Sequence, residues 1–125
     1  MTYTIEKDFA FSAAHHLWGL PEGHQCARTH GHNYVVRVRL QGADLDPTGF
    51  VLDYGKLAPL GAFLDQVLDH QDLNVALPEQ VPNPTAEHLA AYLAAVVGQL
   101  CAIPPGVVVS VGVSETPKSW AWFTP

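Results

Sequence analysis

Only six lysines and arginines stand among the 125 residues, against twelve aspartates and glutamates, for a formal charge of −6. A sequence-independent grip on nucleic acid needs basic side chains that displace counterions, so that class is set aside first. A phosphorylated small molecule is still a possible substrate, because a few local cations can serve one pocket. Cysteine is equally scarce, and Cys26 with Cys101 cannot build a disulfide framework. No apolar run reaches the roughly 20 residues needed to cross a bilayer. Glu6, Lys7 and Asp8 fall where a leader peptide would carry its apolar stretch. The expectation is a cytoplasmic chain without membrane or nucleic-acid partners. Repeats and low-complexity tracts are missing too. A composition 48% hydrophobic and only 14% charged is too apolar for disorder. The length gives one domain, residues 1–125, around one core.

Histidine is what the chain has in excess. Six of its seven histidines (His15, His16, His24, His30, His32 and His70) precede residue 71. Around them the pattern is readable. Tyr3, Ile5, Phe9 and Phe11 alternate with polar neighbours, as in a strand. A loop from Gly19 to Gly23 leads to His24 and Cys26. From about His30 to Leu40 a second strand carries His30, His32, Tyr34, Val36, Val38 and Leu40 on one parity. After a turn at Asp46 to Gly49, Phe50 to Asp53 reads as a short third strand.

Leu57, Leu60, Leu64, Val67 and Leu68 then fall at helical spacing behind Asp53 as a cap. A second helix runs from a Thr85 cap through Leu89, Tyr92, Leu93, Val96, Val97 and Leu100 to Pro104-Pro105-Gly106. Val107, Val109, Val111 and Val113 form a fourth strand that delivers Glu115, and a last short strand passes Trp120 and Phe123. Strands, two amphipathic helices and strands again make an α+β domain with helices on one face of an antiparallel sheet. The other sheet face must meet water, ligand or another subunit.

His30-Gly31-His32 is the strongest local signal, since residues two apart in a strand share a face and both imidazoles can reach one ion. A third nitrogen from His15 or His16 would complete a three-histidine zinc site with one open position, the catalytic pattern. The plain alternative is two surface histidines at a strand edge. Cys26, with His24 and Arg28 as neighbours, would have its thiol acidified by a nearby dication and could act as base or nucleophile. It could also be a fourth ligand, or an ordinary reduced cysteine, as Cys101 is expected to be. Asp69 beside His70 can fix an imidazole tautomer, though adjacent Asp-His pairs are common by chance. Glu115 could accept paired hydrogen bonds from an amidine-like edge of a heterocycle.

Phe11-Ser12-Ala13-Ala14-His15 and Cys26-Ala27-Arg28-Thr29-His30-Gly31-His32 resemble the signature of the pyruvoyl- and carboxy-tetrahydropterin synthases. The likeness continues through Gly49 to Tyr54, Leu68-Asp69-His70, Leu73-Asn74, Asn83 to Glu87, and Ser114-Glu115-Thr116. The resemblance implies zinc (Zn2+) on His15, His30 and His32, and Cys26 as general base with Asp69 and His70 as its proton relay. It also implies Glu115 as the anchor of a pterin ring. The implied fold is the tunnelling fold, an antiparallel four-stranded sheet with two helices on one face. Such sheets join across subunits into a barrel, typically as a homohexamer of two trimers. The implied substrate is 7,8-dihydroneopterin triphosphate. The carboxy branch forms 6-carboxytetrahydropterin, triphosphate and acetaldehyde for queuosine-type nucleosides, whereas the pyruvoyl branch eliminates triphosphate and releases no acetaldehyde. Glu22-Gly23-His24-Gln25 is more similar to bacterial carboxy-branch members. A storage or structural zinc module would explain the histidines but not Cys26, Asp69-His70 and Glu115 together. A three-histidine hydrolase would not need Glu115.

Overall fold

The computed structural model describes residues 1–125. Alternation makes the two long strands, β1 (Tyr3–His15) and β2 (His30–Gly42), which pair antiparallel from Tyr3 opposite Gly42 to His15 opposite His30. β4 (Val108–Thr116) lies against β2, and β5 (Ser119–Phe123) folds back on β4. A two-residue strand, β3 (Gln71–Asp72), runs parallel to Ala13 and Ala14, giving the order β3-β1-β2-β4-β5. The sheet therefore has five strands with one short parallel pair, not four antiparallel ones.

The expected strand at Phe50 to Asp53 is a loop. Asp46 closes it locally, its Oδ1 accepting from the amides of Thr48, Gly49 and Phe50 at 2.9 Å each. Gly49 supplies the positive φ of 98° that this turn requires. The Phe50 amide, satisfied there, has no strand partner to seek.

The first expected helix is continuous but changes pitch. A 3-10 turn (Tyr54–Leu57) capped by Asp53 leads into α1 (Ala58–Phe63) and a π turn (Leu64–Leu68). Leu57, Leu60, Leu64 and Leu68 are buried as the spacing requires, whereas Val67 is exposed. The wide last turn ends with the Asp69 amide donating to the Leu64 carbonyl at 2.8 Å. α2 (Leu73–Ala76) is one turn. α3 (Ala86–Leu100) begins where the Thr85 hydroxyl accepts from the His88 amide at 3.1 Å. Its buried stripe of Leu89, Leu93, Val96 and Val97 packs in one core with Phe11, Tyr34, Val36, Val38, Val111 and Val113 from the sheet.

The opposite sheet face has no helix. There Arg37 meets Asp8 at 2.7 and 3.0 Å, and Arg39 meets Glu6 at 2.6 Å. Their guanidinium carbons stand 4.4 Å from the Trp120 and 4.1 Å from the Trp122 ring centroid. The outer edge of β1 is paired by β3 only at Ala13 and Ala14. No helix is long and apolar enough to cross a membrane.

Candidate metal and catalytic site

The register that makes His15 and His30 cross-strand partners puts both at one end of the sheet, with His32 one pleat further along the same face. It is His15, fully buried, and not His16 that turns into this group. The ligand atoms of His15, His30 and His32 lie within 4.8 Å of one another. Two of the rings have their tautomers fixed from behind. A backbone carbonyl can only accept, so His15 Nδ1 donates to Pro84 O at 2.8 Å and His30 Nδ1 donates to Arg28 O at 2.7 Å. A neutral imidazole has one proton, so both Nε2 atoms present lone pairs.

Those two lone-pair atoms face each other at 3.0 Å. Glu115 Oε2 stands 3.2 Å from His15 Nε2 and 3.6 Å from His32 Nε2, adding another acceptor to the same place. Acceptors converging without a donor repel unless a proton or a cation lies among them. Burial, above all, holds His15 below the ordinary imidazole range, which disfavours the proton. A cation therefore fits this donor set, and three imidazole nitrogens with room for another ligand suit zinc. The carbonyls behind His15 and His30 are the outer partners that orient such ligands.

Glu115 reaches the group because β4 shifts register between Val113 and Thr116, and such an irregularity re-aims a side chain. The Ser114 hydroxyl donates to the Thr116 carbonyl within the same irregularity. Tyr34 closes the floor. Its ring lies edge-on to His15 and His32, and its buried hydroxyl has no partner. Burial first, then the charge of Glu115, push its phenol up.

Cys26 sits on a one-turn 3-10 helix (Gln25–Ala27) held by two bonds. Its amide donates to His24 Nδ1 at 3.1 Å, and its carbonyl accepts from the Leu17 amide at 2.9 Å. It lines one cavity of about 310 Å³ with His15, His30, His32 and Glu115. Cys101 is buried at the end of α3, where desolvation raises its thiol.

Asp69 and His70 lie elsewhere in the chain. The π turn delivers them to the edge of β1, where Asp69 Oδ1 accepts from the Ser12 amide at 2.8 Å and the His70 amide donates to the Ser12 carbonyl at 2.6 Å. His70 Nδ1 donates to Asp69 Oδ2 at 2.7 Å, and its side chain is 81% exposed. Hydrogen bonds from the Ser12 amide and then from His70 hold the Asp69 carboxyl below the usual carboxylate range. His70 has φ of 59°, the only non-glycine residue in the left-handed region. Such strain gathers at functional positions. His70 lines a separate cavity with Ser12, Ala14, His32 and Asp72, one that does not include Cys26. Within one chain Cys26 and the Asp69–His70 pair line different cavities.

Sequence reasoning missed the groups that hold these side chains in place: the Pro84 and Arg28 carbonyls behind His15 and His30, the His24 cap on Cys26, and two asparagines, Asn74 and Asn83. The pairs Leu73-Asn74 and Asn83-Pro84 stood within the resemblance without an assigned part.

The chain is similar to known proteins over nearly its whole length. Residues 4–125 match the family model described as 6-pyruvoyl tetrahydropterin synthase. The 6-carboxy-5,6,7,8-tetrahydropterin synthase of Bacillus subtilis strain 168 is 31% identical, over 99% of this chain and 86% of that protein. A putative 6-pyruvoyl tetrahydrobiopterin synthase of Caenorhabditis elegans is 32% identical, over 93% and 90%. The solved structure of a 6-pyruvoyl tetrahydropterin synthase from Caenorhabditis elegans superposes with a TM-score of 0.85 at 29% identity, covering 100% of this chain and 96% of that one.

Proposed function

The chain belongs to the 6-pyruvoyl tetrahydropterin synthase family, and from that premise we propose that, as one domain over residues 1–125, it is a zinc-dependent carbon–carbon lyase. The reaction takes 7,8-dihydroneopterin triphosphate and water to 6-carboxy-5,6,7,8-tetrahydropterin, acetaldehyde and triphosphate, a step toward queuosine-type nucleosides. The observation that carries this reading is the convergence of imidazole and carboxylate acceptors beside a free cysteine in one cavity.

Zinc on His15, His30 and His32 would act as a Lewis acid toward the oxygens of the substrate side chain. Cys26, its backbone held at both amide and carbonyl, takes a proton from the side-chain carbon next to those oxygens. Asp69 fixes His70 with the proton on Nδ1, leaving Nε2 to accept or return a proton. Because His70 and Cys26 line different cavities of one chain, the reading has them meet across a subunit boundary, in a homo-oligomer expected to be a hexamer. The open sheet face and the unpaired length of β1 suit such assembly. Arg37 and Arg39 are held by carboxylates, whereas Arg28, between Cys26 and His30 in sequence, has no acidic partner and suits the triphosphate.

Glu115 anchors the ring through two acceptor oxygens. A Glu115→Gln chain should bind a pterin analogue about ten- to a hundredfold more weakly, since one acceptor becomes a donor facing donors, a mismatch of about 1–3 kcal/mol. Unchanged affinity by titration calorimetry would place the anchor elsewhere.

The alternative product is the pyruvoyl compound, favoured by the likeness to the Caenorhabditis elegans protein. Both branches release triphosphate, but only the carboxy branch breaks a carbon–carbon bond. An aldehyde-coupled dehydrogenase assay should report acetaldehyde in step with triphosphate. Triphosphate alone would assign the pyruvoyl branch.

A further inference from the structure

We propose that Asn74 and Asn83 are positioning residues for the metal ligand His15, acting as a pair of clasps on the main chain that leaves β1. The inference rests on the metal reading of the three histidines. His15 is the last residue of β1, and no regular element holds the chain beyond it. In the folded site its Nε2 is held as the lone-pair atom by the bond from Nδ1–H to Pro84 O, a carbonyl in the loop between α2 and α3. That loop and the segment after His15 must therefore hold a fixed separation.

Two carboxamides set it, Asn83 from the loop itself and Asn74 from α2 just ahead of it. The His16 amide donates to Asn74 Oδ1 at 2.9 Å, and Asn74 Nδ2 donates back to the His16 carbonyl at 3.0 Å. Two residues on, the Trp18 amide donates to Asn83 Oδ1 at 3.2 Å, and Asn83 Nδ2 donates back to the Trp18 carbonyl at 3.0 Å. Each carboxamide thus closes a two-bond ring with a main-chain residue, as a neighbouring strand would. The Trp18 indole N–H adds a bond to Pro82 O at 2.8 Å.

Both asparagines are fastened in turn. The Asn74 amide donates to Asp72 Oδ1 at 2.9 Å, tying it to β3. The Asn83 carbonyl accepts from the Thr85 amide and from His88 Nδ1, each at 2.7 Å, tying it to the start of α3. Pro84, between these bonds, is buried. Only a group with an acceptor and a donor side by side can serve residues 16 and 18 this way. Aspartate retains the acceptor and loses the donor, and alanine loses both.

The test uses the full-length chain with Asn83→Ala, Asn74→Ala and the corresponding aspartate variants. Zinc affinity is measured by chelator competition, and the His15 Nδ1–H resonance is followed by NMR in the metal-free protein. Each alanine variant should bind zinc about 10- to 100-fold more weakly, the scale of losing an outer partner of a ligand. Its His15 Nδ1–H should exchange too fast to observe. The aspartate variants should fall between these and the parent, and they carry the test if an alanine chain does not fold. A merely structural role would lower the melting temperature while zinc affinity and the His15 resonance stay at parent values, and that result overturns the proposal. If the parent chain binds no zinc, the metal reading fails, while the resonance still reports on the clasps.

Discussion

A His30→Ala chain should come off a metal-free column and, after reloading with zinc, retain well under one ion per chain by atomic absorption. The loss should exceed the roughly 100-fold that removal of an outer hydrogen-bond partner costs, because a ligand itself is gone. Two terms combine in that loss. One nitrogen of three disappears, and His15 Nε2 loses the neighbour 3.0 Å away with which it would share a cation. Turnover should fall with metal content. The matched control is His16→Ala, which removes a ring outside the trio and leaves the main-chain bonds of residue 16 to Asn74 in place. That variant should hold a full zinc complement. A His30→Ala chain with one tightly bound zinc would end the three-histidine assignment.

Cys26→Ala and His70→Ala should each lose about 10²- to 10⁴-fold in turnover, the worth of a positioned proton-transfer group, with zinc content unchanged. The informative experiment combines them. Cys26 and His70 line different cavities within one chain, and the proposed site would draw them from two subunits. Co-expressed in equal amounts and assembled at random, the two inactive chains should regain about a quarter of parental activity, because one pairing in four joins both intact residues across a shared interface. Two variants of a site confined to one chain would stay inactive in any mixture. Absence of recovery in co-assembled oligomers would thus remove the subunit-shared relay.

How much of this was legible beforehand depends on whether a residue acts through periodicity. β1, β2, β4 and α3 bury every second or every third to fourth residue against one core, and that repetition is visible along the chain. The two-residue β3 has no period to read. It exists because Asp69 and His70 both bond to Ser12 and lay the following residues alongside β1. Helical spacing located Leu57 to Leu68 but not the π turn, since one widened turn leaves Leu64 and Leu68 buried where a uniform helix would also have put them. Phe50 to Asp53 has strand-like composition, yet the Asp46 carboxylate takes up the Phe50 amide and the two before it from a few residues away.

The site divides along the same line. His30 and His32 were legible through strand parity. The choice of His15 over His16 came from the resemblance and agrees with which ring is buried in the trio. Glu115 was expected to face a heterocycle, and the register shift in β4 brings one of its oxygens beside the histidines as well, a proximity that strand parity does not reveal. Asn74 and Asn83 bond to main-chain atoms, and such bonds leave no spacing for a sequence pattern to reveal.

The antiparallel pairing of His15 with His30 also bears on the order of folding. All three candidate ligand histidines belong to a single hairpin whose connection is residues 16–29. Closing a loop of that size takes well under a microsecond, and hairpins zip within about ten microseconds. Docking of α3 against the sheet waits on contacts far more distant in sequence. Metal ions present during synthesis should therefore be captured by the first forty-two residues before the carbonyl of Pro84 exists to lock His15. The late arrival of that carbonyl would convert a loose early complex into a slowly exchanging one.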